Sequence, residues 1–338
     1  MNLKTLSKAA ILAASLSVCF GMASAQAANT DTKQEKEKID LLANYAFHGR
    51  HAPYFVGIEN GYFDDAGFKV NALPAAGSGA VIAAIDSGKA DFGMADAAPV
   101  VQAVAKGAKV KTFMIYMDES TMGLASTKPY PDLASLKDAR IAASGADSVR
   151  VILPIILRLQ NMSELPVNWL SADPSVYISL VLSDQADLFT ASSDGDVPAF
   201  EVIAAKQGKD THFLSFAENG FDAYGYVLIA SDKTLSESPE KAQRLYDSMK
   251  KAVTFSLENP EKAAEIMIKY NPTLNYDTVL RQWQQAAHGI NTGYMKEHGY
   301  GTITRDRAES TIKMVAEAMN LDVADLGVDQ VFAMPAGQ

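Results

Sequence analysis

His48 and His51 stand three residues apart with Arg50 between them, and three aspartates, Asp96, Asp147 and Asp194, each follow shortly after an apolar run. These groups can accept and donate hydrogen bonds, but their spacing assembles no bond-breaking device. A His-x-x-His pair can begin a metal site. Here Cys ligands are lacking and His212, His288 and His298 lie far along the chain without a spaced acidic partner, so no metal is expected. No Ser-His-Asp order, Gly-x-Ser-x-Gly elbow or Lys-bearing phosphate loop occurs. The expected chemistry is reversible binding by a protein that is not an enzyme and carries no cofactor.

Those residues must be held by regular elements, and the apolar pattern supplies them. Strand candidates 39–45, 68–73, 91–95 and 110–116 alternate with helix candidates 53–62, 79–87 and 99–106. After Pro129-Tyr130-Pro131 the series resumes. Strands are expected at 139–143, 167–170, 186–190 and 212–216, and helices at 148–160, 174–182 and 197–207. Tandem β-α-β units predict an α/β fold with mostly parallel sheets and helices on both faces. A strand at 224–230 leads into a helical tail. There Ser238-Pro239-Glu240 and Asn259-Pro260-Glu261 read as an N-cap, a proline in the first turn and a first-turn acid, while Leu245, Met249, Ala252, Val253 and Ser256 form a core-facing stripe.

In open α/β sheets the loops at the carboxyl ends of strands share one crevice, where free N–H groups and helix dipoles hold polar ligand atoms. Five loops qualify. The first, 48–54, carries His48, His51 and Tyr54; the second, 76–80, carries Gly77, Ser78 and Gly79, which either approach a ligand or make an ordinary turn. Asp96 opens the third. Ser144, Asp147 and Ser148 belong to the fourth, and Ser192, Ser193 and Asp194 to the fifth, which ends at Asp196. His51 either meets the ligand or caps a helix, and Asp96 and Asp147 have the same two readings. Tyr54, Tyr116, Tyr224 and Tyr226 either stack on a ligand ring or fill the core, whereas Trp169 and Trp283 are expected in the core.

Composition narrows the partners. The 338 residues carry a formal charge of −10 with no basic block, so nucleic acid is not an expected partner. Lys4 and Lys8, an apolar stretch from Ala9 to Met22 and Ala23-Ser24-Ala25 read as a secretory signal over 1–25. Alternatives are an N-terminal anchor or acylation of Cys19, whose Leu16-Ser17-Val18-Cys19 context is poor for a lipobox. Cleavage would remove the sole cysteine, leaving an exported protein without disulfides. Residues 26–38 are polar and read as a flexible leader. The remaining length exceeds what a single core usually covers, which predicts two lobes.

The stretch His51-Ala52-Pro53-Tyr54-Phe55-Val56-Gly57-Ile58-Glu59-Asn60-Gly61-Tyr62-Phe63, followed by Gly67-Phe68-Lys69-Val70, resembles the opening of substrate-binding proteins of bacterial ABC importers. The particular group includes thiamine-pyrimidine-precursor binders and sulfonate, nitrate and taurine binders. Ser87-Gly88-Lys89-Ala90-Asp91-Phe92-Gly93, Ser135-Leu136-Lys137-Asp138 and Leu228-Ile229-Ala230-Ser231-Asp232 follow in the expected order. This resemblance implies a two-lobed type II periplasmic-binding-protein fold with a two-strand hinge. Lobe I would comprise 39–127 and 222–338, and lobe II 128–221. It also implies a periplasmic protein, expected as a monomer, that closes on a small molecule and delivers it to a permease in the inner membrane with its ATPase; the alternative is a sensor partner that closes on its ligand and docks on a membrane receptor. A pyrimidine-synthesising enzyme of the same fold uses a cysteine-rich motif that the mature chain lacks.

Acids outnumber bases in the crevice loops, where Arg50 and Arg150 are the nearby cations. A sulfonate or nitrate would compete with carboxylates for the positive helix ends. The expected ligand is therefore an uncharged or cationic nitrogen heterocycle, clamped between Tyr54 and His51 of one lobe and Asp194 of the other.

Overall fold

The computed structural model describes residues 35–319 and 326–334. In chain order the first lobe is built from β1 (Glu37–Leu42), α1 (Ala52–Glu59), α2 (Tyr62–Asp65), β2 (Phe68–Leu73), α3 (Ser78–Asp86), β3 (Phe92–Asp96), α4 (Ala97–Ala105) and β4 (Val110–Ile115). The second lobe contains β5 (Met122–Ser126), β6 (Arg140–Ala143), α5 (Val149–Leu159), β7 (Asn168–Ser171), α6 (Tyr177–Leu182), β8 (Leu188–Ser192), α7 (Asp196–Ala205) and β9 (His212–Ser215). The chain then returns through β10 (Tyr226–Ser231). A helical tail follows: α8 (Asp232–Glu237), α9 (Pro239–Glu258), α10 (Pro260–Tyr270), α11 (Tyr276–Ile290), α12 (Gly293–His298), α13 (Arg305–Met319) and α14 (Val328–Val331).

Two five-stranded sheets run in the orders β2-β1-β3-β10-β4 and β7-β6-β8-β5-β9. The α/β two-lobed expectation holds, with one change. Each sheet is mixed, because β10 pairs antiparallel with β3 and β4, and β5 pairs antiparallel with β8 and β9. These are the strands that enter each sheet from the other lobe, and the remaining pairs, β1 with β2 and β3, and β6 with β7 and β8, are parallel. The chain first crosses between Ile115 and Met122, so β5 already lies in the second sheet ahead of the expected boundary at Lys128. The crossings are tied together where the Tyr116 and Met117 N–H groups donate to the Tyr226 carbonyl at 2.8 and 2.9 Å, and Gly225 N–H donates to Met117 O at 3.1 Å.

The expected signal and most of the expected leader lie outside the described residues. Glu37 and Lys38 are not part of a leader: they open β1 in register with Phe68 and Lys69. Their polarity reflects an exposed strand end, where Lys241 reaches both Glu37 at 2.8 Å and Asp91 at 2.9 Å. The tail stripe Leu245, Met249, Ala252, Val253 and Ser256 is buried as expected. Pro239 and Pro260 do start helices, but Ser238 and Asn259 make no side-chain cap bond. Each residue sits at the junction of two helices, and Asn259 turns its amide back to the Phe255 carbonyl at 3.0 Å. Trp283 is core, donating to Ser256 O at 2.8 Å. Trp169 is only half-buried, lying beneath the Arg150 guanidinium at 4.8 Å.

Candidate functional site

Between the sheets the loop after β1 meets the loop after β8. Arg50, in a short 3-10 turn at Gly49–His51, crosses the cleft to Asp194, with Nη1 to Oδ2 at 2.5 Å. The same guanidinium donates to Ser192 Oγ at 3.1 Å and stacks on the Tyr226 ring at 4.6 Å. Tyr116 donates to the Arg50 carbonyl at 2.5 Å. Gln282 of α11 bridges the lobes with its amide, accepting from Gly49 N–H at 2.9 Å and donating to Gly195 O at 2.6 Å. Further along, Asp96 at the end of β3 accepts from Ser78 at 2.8 Å and from Ser148 of the other lobe at 2.5 Å. Asp147 accepts from Val149 N–H at 3.1 Å and Thr190 at 2.6 Å, capping the first turn of α5.

This network encloses a small inner cavity of about 30 Å³ lined by Asn44, Tyr45, Arg50, Asp96, Asp147 and Asp196 among others. That is room for about one water. Tyr45 and Asp196 also line an outer cavity of about 570 Å³, together with His48, Asp173, Tyr177 and Phe189. The outer cavity has the size of a small-molecule site and offers aromatic faces beside carboxylates. A groove of about 690 Å³ between α3, α4 and the start of α5 has no aromatic residue in its lining. Shape and chemistry therefore favour the outer cavity.

The electrostatics follow from burial. Asp96 is pushed up to about 6, because burial outweighs the Ser148 and Ser78 hydrogen bonds; Asp196 is also pushed up to about 6, burial outweighing Arg50. Burial raises Asp147 as well. His48 is lowered to about 3 by burial and then by Arg50, and burial lowers His51. Both rings are neutral at pH 7. The buried Arg50 is neutralised by Asp194, and the outer cavity lining contains no Lys or Arg.

The structure sorts the candidate residues into three groups. His48 lines the outer cavity, while Gly77, Asp96, Asp147, Ser148 and Ser192 line the inner one. Several residues, Gly77 among them, also build the closed interface between the lobes. Gly77, at φ +124°, leaves no room for a side chain against Ala146 O, and Gly79 N–H donates to that carbonyl at 3.1 Å. Ser144 donates to Ala76 O at 3.1 Å and Asp194 holds Arg50, whereas Ser193 N–H, donating to Thr121 O at 2.9 Å, extends the β5–β8 pairing within the second lobe. The third group is core. His51 is spent on His48 N–H and Asn44, Tyr54 is buried under β1, and Tyr224 packs against Tyr294 and Phe332. Tyr116 reaches the site only through the Arg50 carbonyl. The clamp of Tyr54 and His51 against Asp194 does not form, because none of the three lines either cavity. Tyr45, Tyr177, Thr190 and Gln282 had no signal in spacing; Asp196 lay at the end of the fifth loop. Among the described residues no group of three or more His, Cys, Asp or Glu could hold a metal ion.

Two lobes around an aromatic, acid-lined cleft define a periplasmic-binding-protein fold. The alkanesulfonate-binding protein SsuA from Xanthomonas axonopodis pv. citri, bound to MOPS, superposes with a TM-score of 0.68 at 13% identity, covering 88% of this chain and 99% of that one. The ligand binding component of an ABC-type import system from Staphylococcus aureus, with zinc bound, gives 0.62 at 14% identity, covering 88% and 97%. Residues 48–263 match the family described as NMT1/THI5 like, and the chain belongs to that family. The 4-amino-5-hydroxymethyl-2-methylpyrimidine phosphate synthase of Saccharomyces cerevisiae is 25% identical over 283 residues, covering 78% of this chain and 82% of its own. The curated relatives that match, from Saccharomyces, Candida albicans and Aspergillus parasiticus, all carry that enzyme's name. The expectation of a chain outside the enzymes is thereby corrected: lack of a cysteine-rich motif and of familiar nucleophile patterns does not separate it from relatives named as synthases. No described helix is long and apolar enough to cross a membrane.

Proposed function

We propose that the chain captures an amino-bearing nitrogen heterocycle, uncharged or cationic and of the thiamine-pyrimidine-precursor kind, in the outer cavity between its lobes. As an exported, periplasmic component it would deliver that ligand to the permease of an ABC importer. The observation that carries this reading is the charge arrangement: Arg50 is already neutralised by Asp194, His48 is neutral, and Asp196 faces the cavity without a cation in the lining. A sulfonate entering there would meet carboxylates and no unpaired positive group, whereas an aromatic amine finds acceptors and the faces of Tyr45 and Tyr177. The inner cavity admits no pyrimidine, so a ligand enters from the outer cavity or on opening of the lobes.

A second reading is favoured by the names of the curated relatives: pyrimidine phosphate synthesis in the same cleft. Native mass spectrometry of protein purified without denaturation tests both. Release of an unmodified aminopyrimidine or related heterocycle supports capture. Accumulation of 4-amino-5-hydroxymethyl-2-methylpyrimidine phosphate during incubation supports synthesis, and release of an alkanesulfonate contradicts both.

A further inference from the structure

His48 and Asp196 stand side by side on the wall of the outer cavity, and their hydrogen-bonding roles are set from behind. Arg50 Nη2 lies 2.9 Å from His48 Nδ1. A guanidinium only donates, so Nδ1 must accept and the ring hydrogen of the neutral imidazole is on Nε2. That Nε2 faces Asp196 Oδ1 at 3.7 Å, beyond a hydrogen bond, so neither group satisfies the other. The other carboxylate oxygen, Oδ2, is occupied by the Ser192 N–H at 2.9 Å and its hydroxyl at 3.1 Å. Residue 195 must lack a side chain for this to hold: a Cβ on Gly195 would sit 2.3 Å from His48 Nδ1 and 2.8 Å from Arg50 Nη2.

We infer that Arg50 locks His48 as the Nε2–H tautomer, so that His48 and Asp196 present a donor beside an acceptor, and that this pair selects ligand edges carrying an acceptor beside a donor, such as a ring nitrogen adjoining an exocyclic amino group. The inference rests on the binding reading above and adds the specificity determinant, with Arg50 as a positioning residue. 4-Aminopyrimidine has the matching edge. 4-Methylpyrimidine keeps the ring-nitrogen acceptor but carries no donor, and so leaves the Asp196 carboxylate unpaired in either orientation.

Titration calorimetry of the full chain with these two compounds, on wild type and Asp196→Asn, reads the selection. Wild type should prefer 4-aminopyrimidine by about tenfold or more, and Asp196→Asn should erase the preference, since an amide can donate where the carboxylate only accepts. A preference that survives Asp196→Asn overturns the assignment. Nitrogen-15 spectra of the His48 ring in wild type, compared with Gly195→Ala, test the lock without any ligand. An unprotonated Nδ1 that is lost on adding the Cβ supports it, and a protonated Nδ1 in wild type overturns it. If wild type binds no pyrimidine, the binding reading and the edge selection both fall, while the tautomer is still decided by the spectrum.

Discussion

Arg50 of the first lobe and Asp194 of the second form a buried ion pair at 2.5 Å, each side chain at most 2% exposed. Neither residue is fully satisfied, since Arg50 Nε and Asp194 Oδ1 lack partners. Burying such a pair costs desolvation that its attraction only partly repays, whereas removing one member leaves an uncompensated charge. Asp194→Ala should therefore destabilise the closed protein by about 3–5 kcal/mol, and Arg50→Met with Asp194→Leu should recover most of that loss. Urea unfolding of the three chains measures it; a single-variant loss below about 1 kcal/mol would show that the pair is solvated in solution.

The second prediction concerns pH. Asp96 and Asp196 are both pushed up to about 6 from an ordinary 3.8, chiefly by burial, so folding takes up protons. Their stabilising contribution is complete below about pH 4 and is lost as pH rises through about 6, by up to about 3 kcal/mol per group. The melting temperature of wild type should fall across this window, and that of Asp96→Asn should fall less. Equal slopes for the two proteins would refute the buried position of Asp96.

Gln282 supplies the third. Its amide satisfies one buried backbone group from each lobe, Gly49 N–H and Gly195 C=O. Gln282→Ala orphans both, and a loss of about 2–4 kcal/mol is expected. Small-angle scattering should show a larger radius of gyration for the variant without ligand; an unchanged radius with unchanged stability would remove Gln282 from the closure.

The alternation of strands and helices makes the two lobes legible, but β5 carries no such signal. Met122-Gly123-Leu124-Ala125-Ser126 has no polar alternation, because every residue is buried, and Gly123 sits mid-strand where a Cβ would strike the Leu214 carbonyl. At the site, the acids after strands were readable because strand ends share one crevice. The partners that decide their roles were not. Arg50 and Asp194 are 144 residues apart, and no local pattern reveals that the cation is spent internally. Tyr45 read as the end of a strand, yet β1 stops at Leu42 and leaves its ring on the cavity wall. Tyr54 sits on a helix face that packs entirely against the core, and one aromatic in a helix does not distinguish that face from the cleft face.

The cleft is proposed to select nitrogen heterocycles over anions. Isothermal titration calorimetry of ligand-stripped protein with 4-amino-5-hydroxymethyl-2-methylpyrimidine and, separately, with an alkanesulfonate decides it. Saturable heat is expected with the pyrimidine and none with the sulfonate; saturable sulfonate binding with a silent pyrimidine titration would make the cleft an anion site.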